Sequence, residues 1–329
     1  MIVRGDGVGD ALALAPLVAA LRDAGHDLSA VLGVANAEVY APGTFTRTHV
    51  LDRVPWPAHG STRLSYRTAL AEARAARYDL ALIASEEPEA YRFARAARIA
   101  RRTGFTTGLA KPLKTLLLRP LLTRALTRAA SANDAAEHEI VTLFRLGAGL
   151  HDEPGPTREL ARLRPLVVPG AAGEGAPPSS VVVQYPRRRA GADADTDAAR
   201  LRGFLALVRA VRERYETLVV GARADRPALE AVSRALEMPC FGFDALPAWV
   251  AEIARARALV TCDGGAAHVA GMTGVPCVDL FPATAQTAAD VRRWHPWAAP
   301  YRTLVAGPVA GATAAAAVEA LAELIGEAR

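Results

Sequence analysis

The 329-residue chain is 51% hydrophobic and 6% aromatic, with 39 Lys and Arg against 34 Asp and Glu, which describes a globular protein with material for two cores. The cysteines Cys240, Cys262 and Cys277 stand singly, the seven histidines never fall in HExxH or HxH spacing, and no apolar run reaches the roughly 20 residues of a membrane span. Disulfide frameworks, zinc motifs and spanning helices are thereby excluded; a chain that starts directly on a strand-like MIVRG is expected to be cytoplasmic, with no metal site.

The first strand, MIV, runs into GDGVGD (5–10) and then into an apolar helix. Gly5, Gly7 and Gly9 alternate where a dinucleotide fingerprint needs GxGxxG, and Asp10-Ala11 stands where a P-loop needs Lys followed by Ser or Thr. Asp6 and Asp10 would also repel a phosphate at a helix start. The loop therefore holds something other than a phosphate, or Asp10 is simply the N-cap of a long helix.

Short β-rich runs follow at 28–33, 48–54 and 80–85, separated by amphipathic stretches such as TRLSYRTALAEARAARY. This alternation predicts a parallel sheet covered by helices on both faces. Between Tyr91 and Asn133 every charged side chain is basic: Arg92, Arg95, Arg98, Arg101, Arg102, Lys111, Lys114, Arg119, Arg124 and Arg128. Such a segment suits an anionic acceptor or an anionic membrane surface as well as it suits a solvated arginine face. It lacks the interleaved aromatics of a nucleic-acid platform, so no nucleic-acid partner is expected.

PGAAGEGAPPSS (169–180) reads as a linker between a first domain, 1–168, and a second, 181–329. The second domain repeats the alternation, with strands at 180–186, 217–222, 258–262 and 277–281, helices at 196–214 and 226–236, and a final amphipathic helix from 312 expected to pack back toward the domain junction. Ligands of open α/β sheets bind beyond the carboxyl ends of the strands, which singles out GDGVGD and the loop after ALVTC.

That second loop, TCDGGAAHVAG, sets Gly264 and Gly265 at a helix start, where backbone N–H groups can meet a phosphate. His268, one turn in, adds a hydrogen bond or a positive charge; Asp263 is expected to cap the helix. Alternatively this is a plain strand-to-helix turn with a core histidine. Arg187, Arg188 and Arg189 follow the strand SVVVQYP at a strand end and supply positive charge. Asp225, after TLVVGA, lies where an acid accepts hydrogen bonds from ribose hydroxyls, or caps the helix that begins at Arg226. RRWHPW (292–297) is expected as a cap over the C-terminal helix or, second, as a stacking platform.

The stretch DGGAAHVAGMTGVPCVDLF resembles the DTGxxHxAxxxGxPxxxLF signature of glycosyltransferase family 9, the lipopolysaccharide heptosyltransferases, at Asp263, Gly265, His268, Ala270, Gly274, Pro276, Leu280 and Phe281. The opening resembles the family's RxxxxGDxxxxxPxxxxL at Arg4, Gly9, Asp10, Pro16 and Leu21, and RRTGF (101–105) and HEIVTLFRLG (138–147) resemble two elements between them. Gly264 stands where the family has Ser or Thr, and the family's lysine after the first strand of the second domain is absent, with the arginine run nearby.

The resemblance implies a GT-B fold: two Rossmann-like doubly wound domains facing across a cleft. A nucleoside-diphosphate sugar, ADP-heptose first, would bind the second domain at Asp263, Gly264, Gly265, His268, Arg187, Arg188 and Asp225. A lipopolysaccharide core or similar anionic glycolipid would bind the first at Gly9, Arg98, Arg102, Lys111 and Lys114, with Asp10 as general base. It implies inverting transfer without metal or cofactor, by a cytoplasmic protein in peripheral contact with the inner membrane surface. Two other classes remain open: a nucleotide-sugar-binding protein without transferase activity, and a GT-B-like epimerase.

Overall fold

The computed structural model describes residues 1–51, 62–128, 137–169, 180–186, 194–306 and 310–326. They form two compact units, Met1–Leu166 and Val167–Arg329. The run 169–180 and the arginines 187–189 lie almost wholly outside the described residues.

The first unit holds six strands, β1 (Ile2–Arg4), β2 (Ser29–Gly33), β3 (Arg47–Leu51), β4 (Leu80–Ile83), β5 (Arg101–Thr106) and β6 (Arg124–Thr127), all parallel, in the order β3-β2-β1-β4-β5-β6. The helices are α1 (Val8–Leu12), α2 (Ala15–Asp23), α3 (Thr62–Ala76), α4 (Pro88–Ala96), α5 (Pro112–Leu118), α6 (Glu139–Phe144) and α7 (Leu160–Val167). β1 lies at the centre, Ile2 in register with Ala30 on one side and Leu82 on the other. Its Val3, with Val31 of β2 and Ile83 of β4, is buried in one cluster with Tyr91 and Phe93 of α4.

The apolar helix expected after β1 is broken in two. Pro16 in the first turn of α2 has no N–H to continue the ladder from α1, so the chain restarts at Ala15 and leaves α1 a stub of five residues. β5 and β6 were not expected as strands. RRTGFT lacks an alternating apolar run, and Gly104 is needed because a Cβ there would meet Tyr91 and Leu122 at 3.0 Å.

The second unit repeats the winding with β7 (Val181–Gln184), β8 (Thr217–Ala222), β9 (Cys240–Phe243), β10 (Ala258–Cys262), β11 (Cys277–Pro282) and β12 (Tyr301–Ala306), again parallel, in the order β12-β11-β10-β7-β8-β9. Its helices are α8 (Ala194–Arg212), α9 (Arg226–Leu236), α10 (Leu246–Ala254), α11 (Gly265–Thr273), α12 (Thr287–Trp294) and α13 (Ala310–Ile325). The C-terminal helix α13 buries Ala314, Ala317, Val318 and Leu321 in the core of its own unit, beside α8 and β10 to β12. Each sheet is thus a doubly wound 3-2-1-4-5-6 array, reversing direction between β1 and β4 and again between β7 and β10.

Candidate functional site

In the first unit the candidate residues gather at the reversal point. β1 ends on Arg4, which is 3% exposed and lies among carboxylates: Nε to Asp6 at 3.1 Å, Nη2 to Asp10 at 2.5 Å and Nη2 to Glu139 at 3.8 Å. The guanidinium also donates to the Ala84 carbonyl at the end of β4. Burial alone would lower the Arg4 pKa, but Asp10, Asp6 and Glu139 outweigh it and raise it, so this arginine stays charged. The arrangement holds the Asp10 carboxylate by both oxygens: Oδ1 accepts from Arg4, and Oδ2 accepts the Gly7 N–H at 3.1 Å. Asp10 is therefore the third residue of α1, reaching back to the N-cap residue Gly7, and not itself the N-cap. A third of its side chain remains exposed, with lone pairs able to meet a hydroxyl. Gly9, in the first turn of α1, accepts the Ala13 N–H.

The loop is fixed from below. Asn36 Nδ2 donates to the Asp6 carbonyl at 2.8 Å, and its Oδ1 accepts the Gly33 N–H at 2.8 Å. Ser85 Oγ donates to Asp6 Oδ1 at 3.2 Å, and Tyr40 Oη donates to the Ala11 carbonyl at 2.5 Å. Burial raises the Asp6 pKa from its ordinary value despite Arg4, and the Asp10 charge adds to the effect. From Glu139 the network continues to Arg128, from Arg128 Nη1 to Glu86 at 3.2 Å, and from Glu86 to Lys114 Nζ at 3.7 Å.

Lys111 and Lys114 thus follow the carboxyl end of β5, on the same edge of the parallel sheet as Asp10. Arg98 and Arg102 do not. They stand at the amino end of β5, the opposite edge, where Arg102 donates to the carbonyls of Leu121, Ile99 and Ala100 and so anchors its own turn. The basic segment is therefore divided between the two edges. Sequence reasoning had Arg4 only as a motif position, Arg128 only as one of the basic residues after Tyr91 and Glu139 only within HEIVTLFRLG, and it missed Asn36, Ser85 and Glu86. A charged residue closing an otherwise apolar strand was the available signal for Arg4.

In the second unit, β10 ends at Cys262 and α11 begins at Gly265 with Gly264 as N-cap and no side-chain cap. Asp263, expected to cap the helix, is exposed, and its N–H donates to the Leu280 carbonyl at 3.0 Å. The N–H groups of a helix's first turn are the kind of donors an anion takes up. His268 is buried one turn in, its ring edge-on to Trp294 at 5.6 Å. RRWHPW packs on α11: Trp297 is buried, the Ala298 N–H donates to the Gly271 carbonyl at 3.0 Å, and a Cβ on Gly271 would lie 2.6 Å from Trp297 N. The missing side chain at Gly271 is what lets this segment settle on α11, in place of the expected cap over the C-terminal helix. Asp225 Oδ2 accepts the Ala222 N–H at 3.0 Å, closing the turn that starts α9. Arg187 and Arg188 lie outside the described residues.

Beside the loop, Asp279 of β11 is fully buried, and neither carboxylate oxygen has a hydrogen-bond partner among the described residues. Burial raises its pKa well above the carboxylate range, and Asp263 raises it further. Among the described residues no three His, Cys, Asp or Glu side chains are grouped to hold a metal ion, and no helix is long and apolar enough to cross a membrane.

Two doubly wound parallel sheets of this order define the GT-B class, built of two Rossmann-like units. Over 99% of its length the chain superposes on 97% of a family 9 glycosyl transferase from Veillonella parvula, with TM-score 0.70 at 16% identity. It matches the E. coli heptosyltransferase WaaC with ADP (TM-score 0.68, 16% identity, 98% of each chain). It also matches the E. coli ADP-heptose LPS heptosyltransferase II (TM-score 0.67, 16% identity, 98% of this chain and 97% of that one). The fold is therefore that of the family 9 glycosyltransferases. No family model and no curated protein sequence matches the chain.

Proposed function

We propose that this chain is an inverting glycosyltransferase. It moves a heptose or related sugar from a nucleoside-diphosphate sugar, ADP-heptose first, onto a lipopolysaccharide core or similar anionic glycolipid. The observation that carries the reading is that both candidate loops, GDGVGD and CDGGAAH, leave central strands beside the reversal point of their sheets, the position where open α/β sheets bind ligands.

The acceptor hydroxyl oxygen attacks the anomeric carbon and its proton passes to Asp10, while the bond from that carbon to the diphosphate oxygen breaks. Arg4 and Gly7 N–H hold the Asp10 carboxylate in one orientation, so the base is positioned before the acceptor arrives. The leaving diphosphate is met by the N–H groups of the first turn of α11, with His268 adding a hydrogen bond or a positive charge and the arginines 187 and 188 further positive charge. This assignment needs no cofactor. The ADP and ADP-heptose named for the similar E. coli proteins support the choice of donor.

The test is a thermal-shift panel of ADP, UDP and GDP followed by transfer assays. ADP raises the melting temperature of the wild type and of Asp10→Asn alike, His268→Ala loses the shift, and only the wild type turns over, with chelator present or absent. Equal turnover by Asp10→Asn would overturn the assignment of the base. Nucleotide binding with no transfer to any core acceptor would favour a binding protein without activity.

A further inference from the structure

α5 and the turn before it carry an unusual surface. In GLAKPLKTLLLRPLL (108–122), Leu109 is 96% exposed, Leu113 76%, Leu116 70% and Leu117 65%. Four of the eight strongly exposed large hydrophobic residues among those described fall within this stretch. Leu113, Leu116 and Leu117 have the i, i+3, i+4 spacing of one helical face, and Leu109 stands one turn before them.

The exposure does not come from a loosely held segment. Leu118 and Leu122 on the other side are buried in the first unit's core, Thr115 Oγ1 donates to the Gly108 carbonyl at 2.9 Å, and Lys114 reaches Glu86 at 3.7 Å. A fixed helix therefore presents an apolar comb outward. Basic residues surround it: Lys111 and Arg119 are exposed at its two ends, and no acidic residue occurs between Tyr91 and Asn133.

Leucines facing outward among cations match one partner chemically. An anionic bilayer offers acyl chains for the leucines at the depth where its headgroups neutralise lysine and arginine. A water-facing solvated helix would carry charge in place of the leucines, and an apolar protein partner would not account for the exclusively basic flanks.

We propose that α5 docks the protein on an anionic membrane surface, the face of Leu109, Leu113, Leu116 and Leu117 entering the headgroup layer and Lys111 and Arg119 binding lipid phosphates. Lys114 and Glu86 then link the docked helix to the ion-pair network that ends at Asp10, so the Asp10 edge of the first sheet faces the lipid. The docking does not depend on the chain transferring a sugar.

The test is co-sedimentation of the full chain with vesicles of phosphatidylglycerol and phosphatidylethanolamine, and separately of phosphatidylcholine alone. The expected result is binding to the anionic vesicles that weakens as salt is raised, and little binding to phosphatidylcholine. The triple variant Leu113→Ser/Leu116→Ser/Leu117→Ser, which removes no buried side chain, lowers the partition coefficient at least about tenfold. Lys111→Glu/Arg119→Glu lowers it on anionic vesicles only. Circular dichroism and melting temperature of both variants should match the wild type, and Leu109→Ser alone serves if the triple variant does not fold. Binding unaffected by the serine substitutions, or equal on the two lipids, overturns the proposal. So does a wild type that is dimeric in solution and becomes monomeric in the triple variant, because the comb would then be covered by a second copy.

Discussion

Replacing Arg4 by methionine keeps most of the volume of the side-chain stem and removes the charge that Asp6, Asp10 and Glu139 share. Breaking a buried ion pair from one side costs about 3–5 kcal/mol, because the remaining charge is left desolvated. Here Glu139 retains Arg128, and Asp10 is a third exposed and so partly screened, which puts the loss at the lower end, about 3 kcal/mol, falling mainly on Asp6. Such a loss is a large share of the roughly 5–15 kcal/mol that holds a domain folded. Hydrogen-exchange protection factors of β1 and β4 read it locally, without interference from the second unit. The deficit has a pH signature. Protonation neutralises the orphaned carboxyls, and the Asp6 pKa is already raised in the wild type, so the difference between variant and wild type shrinks as pH falls from 8 to 5. A loss below about 1 kcal/mol, or one equally large at both pH values, would refute the account of Arg4 as the charge that holds this loop together.

Asp279→Asn removes a buried acid whose folded pKa lies above its unfolded one, so the wild type loses stability as pH rises through that interval. The variant gains on the wild type by up to about 1.4 kcal/mol per pH unit there; parallel urea midpoints from pH 4 to 8 would contradict this. Gly271→Ala sets a methyl 2.6 Å from Trp297 N, a backbone atom that cannot rotate away. The overpacking cost of roughly 1–3 kcal/mol is expected to exceed the helix-propensity gain of about 1 kcal/mol, and a raised urea midpoint by tryptophan fluorescence would count against it. Gly264→Ser meets only the Cys262 carbonyl at 3.6 Å, an ordinary contact, and adds an N-cap hydroxyl. Its unfolding free energy should hold or rise by the few tenths of a kcal/mol that separate Ser from Gly at a cap, and ADP should bind more tightly; weaker binding would show that the hydroxyl blocks the loop.

Much of this architecture was legible because parallel strands buried on both faces are short apolar runs, as in SAVLG, LALI and ALVTC, and few other structures produce them at such intervals. RRTGFT and CFGF were not legible, since the first carries charge and the second is an edge strand with half-exposed aromatics. GDGVGD and CDGGAAH were readable as sites from their place after strands. The Arg4 network was not, because its members come from β1, the loop after β4, the segment after β6 and α6, and only the winding of the sheet brings them together. The division of the basic residues had the same origin: which edge Arg102 or Lys114 occupies depends on whether it opens β5 or follows its end, and not on local charge.

The central position of β1 also bears on how the chain is made. This strand precedes both of its neighbours in the chain, and one of them, β4, is supplied only about eighty residues later, when Ile2 can pair with Leu82. Until then MIVR is an apolar strand with an open edge, and the nascent chain must keep it from pairing elsewhere. Arg4 closes that strand and Asp6 follows just beyond it, charges of the kind that discourage strand pairing with the wrong partner, so the residues that hold the mature loop also suit the strand's exposed interval.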